Sequence, residues 1–298
     1  MFEELKNWGR WGPDDQRGTL NFITSEKRVR ATNLVREGTT VSVACHLATR
    51  PGPFNPSPVV HHMIRAGDLA NPDGYGGSLD YFAMAPHGRM DTHLDALCHI
   101  FYKAQMYNGI PASKVTSAGA TVNSIETTED GIVSRGVLLD IPRLRGLPYL
   151  EPGDAVYSED LEAAEARQGV RVEEGDIILV HTGRWRRVEE KGGWNPGEAL
   201  AGLHATAMRW VHQRRVALQC CDGISDVVPS GLEGTGVNGR PVHLLAIPAM
   251  GMCLIDNCQT EQLAAACAER NRWEFCLVVA PLKLRGGTAS PVNPIAIF

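Results

Sequence analysis

The chain has 298 residues, 43% hydrophobic and 21% charged, a balance that supports a large buried core. Its 29 basic and 34 acidic residues leave a net charge of −5 with no basic block, which excludes the electrostatic footprint of a nucleic-acid binder. No apolar run reaches the roughly 18 residues needed to span a bilayer, and the opening MFEELKNWGRWGPDD lacks the apolar centre of a signal peptide, so a cytoplasmic protein is expected.

Residues 1–24 mix Trp, Gly, Pro and Asp without a period and are expected to lie irregularly over the body. Residues 39–47 alternate as a strand. Residues 50–80, rich in Pro, Gly and Asn, read as a long loop of the functional or mobile kind, a lid or an oligomer contact. The run Asp91-Thr-His93-Leu-Asp95-Ala-Leu-Cys-His99 follows it. In an extended segment His93 and Asp95 point to one face, near enough to share a divalent cation. Two ligands do not close a metal site, and residues of this kind also serve as hydrogen-bonded loop groups.

Further along, 137–141 reads as a short apolar strand, Ser158 as the cap of a helix stopped by Gly169, and 177–182 as a buried strand. Leu203, Ala207, Trp210 and Val211 recur at helical spacing and predict an amphipathic helix over 197–214, with His204 and His212 exposed on it. Residues 216–220 and 275–280 read as strands, and Thr260 as the cap of a helix over 261–270. Strands alternating with a few helices through long connections predict an α/β or mixed α+β architecture. With no repeat and no low-complexity linker, one domain is expected over 1–298.

Several patterns lack the context their chemistry needs. Gly234-Thr-Gly-Val-Asn-Gly239 matches a dinucleotide-binding fingerprint, but Arg240-Pro241 directly after it argues against the helix that fingerprint requires. No Gly-x-Ser-x-Gly elbow supplies a serine nucleophile. The cysteines form no Cys-x-x-Cys pair and read as small buried hydrophobes, Cys98 included.

The run His87-Gly-Arg-Met-Asp-Thr-His93-Leu-Asp95-Ala-Leu-Cys-His99-Ile-Phe-Tyr102, with Tyr107-Asn-Gly109 after it, resembles the signature of the cyclase family, which includes bacterial kynurenine formamidase and isatin hydrolase. Segments 7–15, 18–21, 176–183 and 287–294 are similar to the longer members, so the resemblance covers nearly the whole chain. It implies a β-rich core of the swivelling β/β/α type and a metal-dependent hydrolase that opens an amide, lactam or lactone in a small-molecule substrate. It also implies a homodimer or homotetramer, while charge and hydropathy argue against a nucleic-acid or membrane partner.

By the same resemblance His93 and Asp95 hold manganese or zinc, His99 relays protons, and His243 and Asp256 supply further ligands. Two departures stand out. Arg89 occupies the place where shorter members carry a first ligand histidine, and His87, two residues earlier, replaces it only if a bulge re-aims the strand. Asp256 stands where the family usually has Glu; being one methylene shorter, it suits a single ion. Trp8, Trp11, Tyr81, Phe82, Phe101 and Tyr102 are candidates for a substrate wall. Two other readings use the same residues: a lyase or cyclase in which the ion stabilises an enolate, and a non-catalytic binder.

Overall fold

Nine strands form one mixed sheet in the computed structural model, which describes residues 1–53, 55–232 and 239–298. In chain order they are β1 (Thr40–Ser42), β2 (His93–Asp95), β3 (Ile132–Asp140), β4 (Ile177–His181), β5 (Leu218–Cys221), β6 (Leu254–Asp256), β7 (Glu274–Val279), β8 (Ala289–Pro291) and β9 (Ile295–Ile297). Their order across the sheet is β1-β9-β7-β3-β4-β5-β6-β2-β8. The central β3, β4, β5 and β6 run parallel, and every other pairing is antiparallel. The parallel strands are near-continuous apolar runs, such as Val137-Leu-Leu139 and Ile177-Ile-Leu-Val180, all fully buried. That is the composition a strand needs when neither of its faces meets water. The result is the mixed α/β class expected from the alternation of elements.

The parallel strands all end on one edge of the sheet, at Asp140, His181, Cys221 and Asp256. Strand β2 runs antiparallel to β6, so it begins on that same edge, at His93. Open α/β sheets place their ligands outside the carboxyl ends of the parallel strands.

Several elements differ from the sequence expectation. The strand expected over 137–141 is longer and begins at Ile132; it stops at Asp140, whose carboxylate accepts the Arg143 N–H and opens a helix over Ile141–Arg145. The strand over 39–47 is confined to Thr40–Ser42. Inside 50–80 an antiparallel ribbon pairs Val60–Arg65 with Leu79–Ala83, so this stretch is not loop throughout. Of the helix expected over 197–214, only Met208–Gln213 is α-helical, after a 3₁₀ turn at Ala205–Ala207. Gly202–Leu203 instead pairs with Ala155–Val156. A Cβ at Gly202 would lie 2.6 Å from the Asp226 carbonyl, so glycine permits a backbone approach that helix formation would forbid.

Two helix ends obey local chemistry. Gly169 adopts the left-handed conformation that closes Ser158–Gln168, while the Asp160 carboxylate accepts the Tyr157 N–H; the cap therefore lies one residue before Ser158. Pro241 does not block a helix but begins one, Pro241–Leu244, at the position where its missing N–H costs nothing. That helix continues as a π-helical segment, Leu245–Met250, closed by Gly251 at φ 67°. Residues 234–238 of the glycine pattern lie outside the described residues.

The irregular N-terminal segment ties this helix down. The Asn7 amide donates to the Met250 carbonyl, Trp8 Nε1 to the Pro248 carbonyl, and the Thr19 backbone N–H to the Gly251 carbonyl. Gly18, at φ 54°, lies so near that a Cβ would overlap the Gly251 oxygen. Among the described residues no helix is long and apolar enough to cross a membrane. Gly18→Ala should therefore lower stability by more than ~2 kcal/mol through both overlap and positive φ. A thermal melt checks this, and an unchanged midpoint would mean that the segment is not docked in solution.

Candidate metal centre

The register of β2 builds the site. Asp256 of β6 lies directly opposite His93, and Leu254 opposite Asp95. Alternation along the strands sends His93, Asp95 and Asp256 to one face, while Leu94 and Ile255 are fully buried on the other. His243 arrives from the helix Pro241–Leu244, with Nε2 3.2 Å from Asp256 Oδ2 and 3.5 Å from Asp95 Oδ2. His93 Nε2 is 3.4 Å from Asp95 Oδ1. Four donors held at about 2.0–2.1 Å around one tetrahedral ion are separated by about 3.3–3.4 Å. Three of those edges are seen near that value, those from His93 and His243 running to different oxygens of Asp95; His93, Asp95 and Asp256 offer ligand atoms within 4.8 Å of one another, and His243 stands beside the two carboxylates.

A second observation points the same way. Asp95 Oδ2 is shielded from solvent and accepts no hydrogen bond. Its nearest donor is His243 Nε2 at 3.5 Å, and a buried carboxylate oxygen without a hydrogen bond is costly, a cost that a cation among these groups would offset. The donor set, imidazole mixed with carboxylate, suits a divalent ion such as zinc or manganese.

The outer nitrogens of both histidines are engaged. His93 Nδ1 donates to the Asp91 carbonyl at 2.9 Å, and His243 Nδ1 to Asp226 Oδ2 at 2.6 Å, which turns both Nε2 atoms toward the carboxylates. The Ser225 hydroxyl donates to Asp256 Oδ1 at 2.7 Å. Asp226 and Ser225 were not legible as site residues, because no motif marks them. Asp226 also accepts the Val242 and His243 backbone N–H groups, 16 and 17 residues further along, a pairing that no local pattern announces.

The electrostatics separate the histidines. Burial works against the His93 cation, but the hydrogen bond and charge of Asp95, with the charge of Asp256, raise it to about 9. Burial likewise opposes the His243 cation and is outweighed by Asp256, Asp226 and Asp95, which hold it well above the ordinary value. Burial would raise Asp95, yet the imidazoles of His243, His87 and His93 around it keep it well below the usual carboxylate range. His99 goes the other way. Burial pushes it down to about 4, with the neighbouring imidazoles adding to the effect. At neutral pH it is a free base.

His87 sits beside these groups. Its Nδ1 meets Asp95 Oδ1 at 2.9 Å, its Nε2 meets the Thr288 hydroxyl at 2.9 Å, and its ring stacks on His99 at 3.6 Å between centroids. A nitrogen of His87, an oxygen of Asp95 and a nitrogen of His99 all lie within 4.8 Å of one another. No bulge is needed, because His87 reaches the group from the loop before β2. All six residues singled out in the sequence, His87, His93, Asp95, His99, His243 and Asp256, line one cleft of about 460 Å³. None of Trp8, Trp11, Tyr81, Phe82, Phe101 or Tyr102 lines it. Trp8 and Trp11 pack against the core, while Tyr81, Phe82 and Phe101 are exposed elsewhere.

The loop that carries His87 and Arg89 is clamped from behind. Buried Arg184 donates to the Asp222 carbonyl, to Asn257 Oδ1 and to the Arg89 carbonyl, and Asn257 Nδ2 donates to the carbonyls of Gly88 and Asp91. Asp222 belongs to a further cluster on the same sheet edge, with His181 and Glu261. Its Oδ2 already accepts the backbone N–H groups of Thr182, Gly183 and Arg184, and its Oδ1 the Thr182 hydroxyl. Those bonds occupy its lone pairs and anchor the start of the helix Arg184–Lys191, so this cluster reads as structural.

The family model described as "Putative cyclase" matches residues 23–226. A crystal structure described as that of a novel cyclase is 33% identical, with a TM-score of 0.89, covering 100% of this chain and 99% of its own. Isatin hydrolase A from Labrenzia aggregata shares the fold at 19% identity and TM-score 0.61, over 92% of this chain and 98% of its own. A predicted metal-dependent hydrolase from Bacillus stearothermophilus does so at 16% and 0.55, over 87% of this chain and 97% of its own. A search of curated proteins returns no match.

Without a cation, His93 holds a proton at pH 7. Its stabilising contribution is fully present below the ordinary ~6.5 and is lost as pH rises through about 9. A divalent ion must displace that proton, so affinity should rise about tenfold per pH unit for each proton released across this window. Calorimetry in two buffers of different ionisation enthalpy measures the release, and none would contradict the geometry. Asp226→Asn, which loosens His243, should weaken metal binding by about 10- to 100-fold, read by competition with a chromogenic chelator.

Proposed function

This chain belongs to the cyclase family, and on that premise we propose that it is a metal-dependent hydrolase opening a cyclic or N-acyl amide, lactam or lactone. One observation carries the reading: His93, Asp95 and Asp256 offer ligand atoms within 4.8 Å of one another, with His243 beside both carboxylates and a histidine held neutral, His99, in the same cleft. A cleft of about 460 Å³ suits a small-molecule substrate.

In this reading His93, Asp95, His243 and Asp256 hold one ion, manganese or zinc, with His87 at the margin of the site. When bound there, the ion would polarise the scissile carbonyl and lower the pKa of water from about 15.7 towards 7. His99 accepts the proton from the attacking water, which its neutral state permits at pH 7. The water oxygen bonds to the carbonyl carbon, the C–N or C–O bond breaks, and His99 returns the proton to the leaving nitrogen or oxygen. His87, fixed between Asp95 and Thr288, stacks on His99 and holds its ring in place. The low basicity of His99 suits it to release that proton quickly.

The same reading includes a homodimer or homotetramer. It is supported by the ribbon Val60–Arg65 and Leu79–Ala83, which leaves Met63, Ile64, Leu79, Tyr81 and Phe82 exposed. An isolated two-stranded ribbon is marginal in water, and a second copy would cover it. A cytoplasmic setting is supported by eight cysteines, all free.

His93→Ala and Asp95→Ala should each remove bound metal and activity together, whereas His99→Ala should keep the metal and lose about 10²–10⁴-fold in rate. Elemental analysis beside a screen of cyclic amides, imides and lactones measures both. Hydrolysis in ¹⁸O-labelled water must place the label in the product carboxylate. Turnover without incorporation would move the assignment to ring closure or dehydration on the same residues.

A further inference from the structure

Two guanidinium groups line the cleft with no carboxylate among the described residues to neutralise them. Arg89 and Arg240 are the permanent cations among its lining residues, and neither forms an ion pair with any described residue. They flank the proposed ligands: Arg89 stands in the loop that leads into His93, and Arg240 stands immediately before the helix that carries His243. Arg89 donates one N–H to Asn195 Oδ1 at 3.0 Å and rests against Gly197, where a Cβ would overlap the guanidinium. That contact steadies the fork while its remaining N–H groups meet no acceptor among the described residues. The Arg184 clamp on the Arg89 carbonyl steadies its backbone as well.

The acids of the cleft are turned to other tasks. Asp95 and Asp256 face the histidines, and Asp91 is buried with its carboxylate accepting the Ala48 N–H at 2.9 Å. The mouth of the cleft therefore carries an excess of positive charge, which focuses anions into it. A guanidinium presents paired N–H groups that match a planar carboxylate. A neutral lactam or lactone would leave both arginines without a role.

We infer that the substrate is an anion: an amide or lactone bearing a carboxylate separate from the scissile carbonyl, held by Arg89 and Arg240. The identity of the scissile bond rests on the hydrolase reading, whereas the charge rests on the two arginines alone. Ring opening of such a substrate yields a dicarboxylate.

The test uses manganese-loaded protein and three probe pairs, benzoate, phthalate and glutarate against benzamide, phthalamide and glutaramide, with affinity measured by calorimetry. At least one acid should bind more tightly than its amide. Arg89→Gln and Arg240→Gln should each weaken that binding by about 10- to 100-fold with metal content unchanged. Arg89→Lys should restore part of the loss, since an ammonium keeps the charge without the fork. Arg240 makes no side-chain hydrogen bond or ion pair with any described residue, so its variant remains informative if the Arg89 variants misfold. Equal affinity for acids and amides, or acid affinities that neither glutamine substitution changes, would overturn the inference. Failure of the hydrolase reading looks different: no bond is cleaved in any screened compound, yet carboxylate binding still depends on the arginines.

Discussion

The site depends on the register of a three-residue strand. His93-Leu94-Asp95 is paired on both sides, by β6 and by β8. Leu94 is wholly buried on the face opposite the two polar side chains. Burying a leucine contributes about 1.5–3 kcal/mol, and a slip of one residue would expose it while driving His93 and Asp95 into the core. Hydrophobic packing on one face thus sets the position of the polar groups on the other. The two neighbouring strands add the ladder bonds that stop the short segment from sliding.

That placement creates an electrostatic problem with a chemical use. Asp95, Asp226 and Asp256 are buried within hydrogen-bonding reach of His93 and His243. The carboxylates raise both histidines, while His99, a few ångströms away but with burial dominant, is lowered. Environments that drive similar groups apart leave His99 neutral where His93 and His243 hold a proton, so one site carries imidazoles of different charge at a single pH. Ser225, Asp226 and the Asp91 carbonyl fix the orientations on which this division depends.

Two clusters share the carboxyl edge of the parallel strands, and hydrogen-bond saturation tells them apart. Asp222 is surrounded by N–H and O–H donors, so it stabilises a chain reversal. Asp95 Oδ2 has none. Arg184 and Asn257 connect the two, because the same guanidinium that binds at Asp222 also clamps the loop carrying His87 and Arg89. The rigid half of the edge thereby positions the half with open valence.

Much of this was legible locally. Apolar runs marked β4, β5 and β7, a glycine marked the end of Ser158–Gln168, and His93 with Asp95 stood out by period and chemistry. The helix expected over 197–214 was not, because Gly202 and Leu203 are captured by contacts with residues far along the chain. Nor could spacing place His87, whose loop is held by Arg184 and Asn257. Residue types and their short-range periods determine which side chains share a face and which groups can bind a cation. Which faces meet is decided by long-range pairing: Asp256 opposite His93, His243 over Asp95, and two arginines at one mouth. Those contacts join segments separated by more than a hundred residues, and only the burial of the whole core makes the closure of such loops favourable.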